Sequence, residues 1–230
     1  MKTRKIYSVG GSDNYINWME GIPTNDIRQA DLVVFKGGED VSPFLYGRKP
    51  HPTTYASALR DAREMDEFKI ARDLSLPMVG ICRGSQFLCV MAGGILVQNQ
   101  QHPGSHPIYA INLPEGGAER VVEITVTSTH HQRQYPWLLN PHELRLLGWC
   151  NLSPFSYGED GEDLSVDCCD NASDDGLPEV EIAYYPKIKA LAIQSHPEMC
   201  FPCHSKQACE YISHCRMLLN SLLDGSLDKL

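Results

Sequence analysis

Apolar residues in this chain cluster in short runs that stop at glycine, cysteine or histidine, and these runs read as buried strands. Ile6 to Val9 ends in Gly10-Gly11, Asp31-Leu32-Val33-Val34-Phe35 runs up to Lys36-Gly37-Gly38, Leu76 to Ile81 stops at Cys82, and Ala190 to Gln194 stops at Ser195-His196. Ile95-Leu96-Val97-Gln98 predicts a further short strand, and Val121 to Val126 alternates as a half-buried strand does. Helical spacing lies between them: a short helix over Asp13 to Glu20, one from the Cys82 turn to Gly93-Gly94, and a closing helix over Ser205 to Leu222. Ser57 to Leu74 is periodic too, with Ala58, Ala62, Met65, Phe68 and Ala71 inward and Asp61, Arg63, Glu64, Asp66 and Glu67 as its expected solvated side. Strands alternating with helices predict an α/β fold, a mostly parallel sheet flanked by helices. At 230 residues, one domain over 1–230 is the natural expectation.

The chemistry gathers where two of these strands end. Gly80-Ile81-Cys82-Arg83-Gly84 is a G-x-Nuc-x-G turn from strand to helix, in which glycines on both sides let the backbone bend sharply enough to expose a nucleophile. The helix that follows aims its positive end at the sulfur and favours the thiolate. A cysteine nucleophile needs a base, and the base an orienting group; His196 and Glu198, two residues apart at the end of another strand, supply both types. In an open parallel sheet the carboxyl ends of such strands line one edge, where sites are built.

The segments Gly80 to Gln86 and His196-Pro197-Glu198 resemble the class I glutamine amidotransferase superfamily, and the stretch from Lys36-Gly37-Gly38-Glu39 to Tyr46-Gly47 with Ser128-Thr129-His130-His131-Gln132 is similar to its γ-glutamyl hydrolase branch, which includes γ-glutamyl-GABA hydrolases. The resemblance implies a flavodoxin-like fold and a Cys82-His196-Glu198 triad that cleaves γ-glutamyl amides through a thioester, with no cofactor. It also implies an oxyanion hole from the amides of Gly38 and Arg83, and a glutamyl pocket that includes Gln86, Ser128, His130, His131 and Gln132. His131 has no carboxylate nearby in sequence, which sets it apart from His196 as a base. Lys36 stands where the family usually has proline, and Gly21 to Ala30 leaves little room for the strand and helix that the family usually places there. Ser195 is small where the hydrolases tend to carry an aromatic.

Three function classes fit these residues. The first is a free-standing hydrolase acting on a small γ-glutamyl substrate. The second is a glutaminase subunit that passes ammonia to a synthetase partner. The third is a non-catalytic binding member.

Charge narrows the partners. The formal net charge is −9, and residues 146–186 hold ten acids without a lysine or arginine, so the acidity is local. Gly158 to Gly176 within it reads as an acidic loop insertion whose acids do not follow an EF-hand spacing. No basic concentration points to nucleic acid, and no apolar run is long enough for a membrane span or a signal peptide. A cytoplasmic location is therefore expected, with the nine cysteines as reduced thiols. Cys200-Phe201-Pro202-Cys203-His204 matches the haem-attachment pattern, but a covalent haem would crowd the adjoining triad. Zinc on Cys200, Cys203 and His204 with Cys209 or Cys168-Cys169 lacks a second C-x-x-C, and Gln101 to Pro107 offers only an isolated histidine pair, so no metal is expected.

Overall fold

The computed structural model describes residues 3–11, 13–100, 104–113, 118–127, 129–150, 155–156 and 177–230. The acidic stretch 158–176 lies outside the described residues. In chain order the strands are β1 (Lys5–Ser8), β2 (Ile22–Pro23), β3 (Leu32–Phe35), β4 (Met78–Ile81), β5 (Ile95–Val97), β6 (Asn99–Gln100), β7 (Ser105–Asn112), β8 (Arg120–Thr127), β9 (Arg133–Tyr135), β10 (Arg145–Cys150), β11 (Phe155–Ser156), β12 (Glu179–Tyr185) and β13 (Ala190–Ile193). The long helices are α1 (Ala58–Asp73), α2 (Arg83–Ala92) and α3 (Lys206–Leu223).

The central sheet runs β2-β1-β3-β4-β13-β12-β10-β7-β8. Strands β2, β1, β3, β4 and β13 pair in parallel, and the strands beyond β13 extend the sheet antiparallel. The fold is thus the α/β class that the pattern predicts, in the flavodoxin-like form that the resemblance implies, with its parallel strands where the candidate site lies. Strand β3 is buried along its whole length, and its side chains alternate between two cores. Leu32 and Val34 join Val79, Ile81, Leu191 and Ile193 under Ile212, Leu218 and Leu219 of α3. Val33 and Phe35 join Met78, Ala190 and Ala192 against Phe68 of α1 and Phe87 and Leu88 of α2. Each such fully buried leucine or phenylalanine contributes roughly 1.5–3 kcal/mol.

Local signals set the helix ends. The Ser57 hydroxyl accepts the Arg60 amide at the start of α1, the Ser205 hydroxyl accepts the Ala208 amide at the start of α3, and Gly93 closes α2 at φ 104°. The helix expected over Asp13 to Glu20 is instead two 3₁₀ turns, Asp13–Tyr15 and Asn17–Met19, ended by Glu20 at φ 56°. The segment is too short to recover the cost of nucleating an α-helix, so its order comes from burying Trp18 and Met19. The tight space after Gly21 holds only the two-residue β2 and one 3₁₀ turn, Ile27–Gln29.

Register brings the two chemistry-bearing strands together. Ile81 pairs with Ile193 in the parallel β4–β13 ladder, and the Cys82 amide donates to the Ile193 carbonyl at 2.8 Å. The cysteine and the Gln194-Ser195-His196 segment therefore leave the sheet side by side. Gly84 packs so tightly behind this exit that a Cβ there would overlap the Phe35 carbonyl oxygen. Gly84→Ala is accordingly expected to cost about 3 kcal/mol or more, since backbone on both sides must move; a urea midpoint unchanged from wild type would contradict this packing.

Candidate active site

Cys82 sits between β4 and α2 at φ 52° and ψ −112°, a positive-φ conformation that a residue other than glycine adopts only under constraint. Its carbonyl accepts the Ser85 amide at 2.9 Å, the Gln86 amide at 3.2 Å and the Ser85 hydroxyl at 2.7 Å, which clamps the turn. Gly80 permits it, because a Cβ at that position would overlap the Gly84 carbonyl. The sulfur thus stands at the N-terminus of α2, next to amides that have no partner within the helix.

His196 reaches this turn from the end of β13. Its Nδ1 donates to Glu198 Oε1 at 2.6 Å, and both side chains are buried. Nε2, left for the Cys82 side, has no hydrogen-bond partner of ordinary geometry among the described residues. Burial opposes a charged imidazole here, but the Cys82 sulfur and the Glu198 carboxylate outweigh it and raise the pKa to about 10. The geometry therefore favours an imidazolium beside the sulfur at neutral pH, the arrangement that activates a thiolate.

Gly37-Gly38 passes over the same turn. A Cβ on Gly37 would lie 3.5 Å from the Cys82 Cβ and 3.2 Å from His196 Cε1, and Gly38 takes φ 140°. The hydroxyl of Tyr15, a residue that no sequence motif singles out, is the other neighbour of Gly37, at 3.0 Å from that Cβ position. Burial, followed by the charges of Glu198 and Cys82, holds its phenol above the usual range. A cleft of about 190 Å³ opens from Cys82, walled by Gly38, Asp40, Gln86, His130, His131 and Gln132 among others. Of the residues expected in the glutamyl pocket, the structure brings Gln86, His130, His131 and Gln132 to this cleft, while Ser128 lies outside the described residues. Gln86 is committed to holding the loop, since its Nε2 donates to the Gln132 carbonyl at 2.7 Å. His131 does have a carboxylate partner, contrary to its sequence surroundings. Its Nε2 lies 3.2 Å from Asp40 Oδ2, and that contact, against burial, raises its pKa. Asp40 also accepts the Tyr55 amide, so it ties the cleft's two rims together.

Behind the cleft is a charge network that helical periodicity places in solvent. Asp61 and Glu64 of α1 are 3% and 1% exposed, not solvated, because Arg83 points back from the elbow and pairs with both. Arg83 Nε also donates to the Glu39 carbonyl at 3.1 Å. Arg60 completes the network: it bonds Glu64 at 2.7 Å and Glu39 at 2.6 Å, and donates to the carbonyls of Lys36 and Gly37, each at 3.0 Å. Desolvation lowers the Arg83 pKa to about 10, still charged at neutral pH. Three carboxylates and two guanidiniums thus fix the backbone from Lys36 to Ser42, whose amide donates to Asp61.

Elsewhere in the sheet two buried sets that share Glu181, His106-Cys150-Glu181 and His130-Glu179-Glu181, each bring metal-ligand atoms within 4.8 Å of one another. His106 Nε2 and Glu181 pair at 3.2 Å and Arg133 lies 3.6 Å from Glu179, so internal partners already offset the buried charge. Cys200, Cys203, His204 and Cys209 belong to neither set. No helix among the described residues is long and apolar enough to cross a membrane.

The Peptidase C26 family matches residues 22–198. The chain is 41% identical over 123 residues to the glutamine amidotransferase-like YvdE homolog of Lactococcus lactis subsp. cremoris, covering 47% of this chain and 65% of that one. It is 34% identical over 124 residues to protein NtpR of Enterococcus hirae, covering 46% and 52%. The aligned stretch thus spans less than two thirds of these curated relatives. In fold it is similar to a glutamine amidotransferase from Thermotoga maritima, with a TM-score of 0.58 at 12% identity over 97% of this chain and 99% of that one. It is similar also to PurLQS from Thermotoga maritima, with a TM-score of 0.55 at 14% identity over 96% and 100%.

Because removing one partner of a buried ion pair strands the other, Glu64→Ala is expected to destabilise the protein by about 3–5 kcal/mol. Chemical denaturation checks this; a loss below about 1 kcal/mol, the value of a surface pair, would place Glu64 in solvent after all.

Proposed function

This chain belongs to the Peptidase C26 family, and on that footing we propose that it is a cysteine-dependent hydrolase of γ-glutamyl amide bonds, acting on glutamine or γ-glutamyl amines. The observation that carries the reading is the side-by-side exit of β4 and β13, which sets His196 between Cys82 and Glu198. In this reading the Cys82 thiolate attacks the γ-carbonyl, and the charge that develops on the oxygen meets the amides of Gly38 and Arg83. His196 gives its proton to the departing amine as the C–N bond breaks, leaving a glutamyl thioester. Water, losing a proton to the same imidazole, then attacks the thioester and releases glutamate and the thiolate. Glu198 holds the ring in one tautomer and offsets its charge. His131, paired with Asp40 at the rim, faces the glutamyl group's own charges in the same cleft.

A second reading, a glutaminase subunit that hands ammonia to a synthetase partner, draws on the small residue before His196. Ser195 is fully buried, with its hydroxyl 2.6 Å from that of Tyr211. Glutamate release by the protein alone separates the two, since a subunit stays slow until its partner is added. Ligand binding without turnover under either condition would instead fit a non-catalytic member.

Cys82→Ala is expected to lower the rate of glutamate release by at least about three orders of magnitude, because it deletes the nucleophile; retained turnover overturns the assignment. The pH profile carries a second test. With His196 raised to about 10, the proton donor is lost only as pH climbs through that value, so kcat/KM should fall on the alkaline side near it. Glu198→Gln removes a contribution that raises the imidazole, and should move this limb toward lower pH. A limb that stays in place would separate Glu198 from His196.

A further inference from the structure

The sheet order places β1 between β2 and β3, so the chain leaves β1 toward one side while the later parallel strands are added on the other. In open α/β sheets such a reversal opens a crevice at the carboxyl ends of the two strands, and ligands bind there. Next to this reversal, between the segment that follows β3 and the start of α1, lies a second cleft of about 460 Å³, lined by Lys36, Gly37, Glu39, Arg60 and Arg63 among others. The Gly10-Gly11 turn after β1, at φ 76° and 68°, lies beside two of these lining residues. A Cβ on Gly10 would come within 2.9 Å of Arg63 Nη2 and 3.5 Å of Lys36 Nζ, so both cationic heads hang over the same stretch of bare backbone.

The charges in this cleft do not cancel. Arg60 is spent on Glu39, Glu64 and two carbonyls, which also neutralises Glu39. Lys36 donates to the Gly11 carbonyl, and among the described residues neither it nor Arg63 forms an ion pair. The acid one turn along α1, Glu67, accepts the Tyr7 hydroxyl at 3.0 Å. Burial and the like charges of Arg60 and Arg63 lower the Lys36 pKa, as expected of cations crowded without a counter-ion. The cleft also adjoins the Cys82 site. Gly37 belongs to its wall and a Cβ there would come within 3.5 Å of Cys82 and 3.2 Å of His196, and Glu39 lines both openings.

We propose that this crevice receives the amine half of the substrate and binds an anionic group, a carboxylate or a phosphate, that the amine carries, with Lys36 and Arg63 as its cations. The proposal rests on the γ-glutamyl amide reading of the Cys82 site. With the glutamyl group in the smaller cleft, the scissile bond lies at Cys82 and the leaving amine crosses Gly37 toward the two cations. Lys36, the departure from the family's usual proline, is then a specificity residue.

The test compares kcat/KM for γ-glutamylglycine, its neutral counterpart γ-glutamylglycinamide, and the γ-glutamyl conjugate of 2-aminoethyl phosphate. A charge-assisted contact in a partly buried cleft predicts a preference of about tenfold or more for an anionic conjugate, and the two anionic arms show whether carboxylate or phosphate is taken. In Lys36→Gln/Arg63→Gln the anionic-to-neutral ratio should fall to near one through a rise in KM. Arg28→Gln, an exposed cation away from the cleft, should leave it in place. A wild-type ratio near one, or a ratio that survives the double substitution, overturns the proposal. If no γ-glutamyl compound is turned over, the enzymatic reading fails first, and calorimetry of the Cys82→Ser protein with glutarate and with inorganic phosphate decides the anion site. Binding that the double substitution abolishes supports the cleft, and absence of binding overturns it.

Discussion

The Arg83 guanidinium ties together three parts of the chain that the candidate chemistry needs in register. It starts one residue after Cys82, runs back beneath the elbow, and ends between Asp61 and Glu64 of α1 while also holding the Glu39 carbonyl. Two carboxylates buried without a cation would cost several kcal/mol each, and a buried guanidinium alone as much. Each element therefore depends on the others being in place. Arg60 closes the circuit by gripping the carbonyls of Lys36 and Gly37, so the loop that passes over Cys82 is positioned by charge from below.

This arrangement explains why the glycines of the site are where they are. Gly80 and Gly84 let the elbow sit against β3 and against itself, and a Cβ on Gly38 would collide with the Arg60 guanidinium. Backbone amides reach a reacting oxygen only if nothing intervenes, and the network can hold the loop that closely only because the loop has no side chain at Gly37 and Gly38. The positive-φ conformation at Cys82 is maintained from the same side, through the three hydrogen bonds to its carbonyl and the hydrogen bond from its amide to β13.

The two clefts on either side of Gly37 differ in chemistry in a way that suits the two halves of an amide. The smaller one, at Cys82, carries hydrogen-bonding groups and the Asp40–His131 pair. The larger, between the segment after β3 and the start of α1, carries Lys36 and Arg63, which form no ion pair among the described residues. One strip of backbone from Lys36 to Glu39 separates them, so whatever positions that strip acts on both.

The sequence by itself determined the parallel strands β1, β3, β4 and β13, the strand-turn-helix at Cys82 and the His196-x-Glu198 spacing, because each is written in residues close together in the chain. Apolar alternation, flanking glycines and a two-residue offset are local, and the sheet register delivered them to one edge. Only the tertiary structure decided which way Asp61 and Glu64 face. Helical periodicity assigns charges to water because burying them alone is costly, and the partner that reverses this, Arg83, is 22 and 19 residues away. The same holds for Asp40 beside His131, for Tyr15 beside Gly37, and for Lys36 beside Arg63 over Gly10. Those pairs exist because parallel strands bring distant loops to a common edge, and the energy of a charge depends on what stands across that edge.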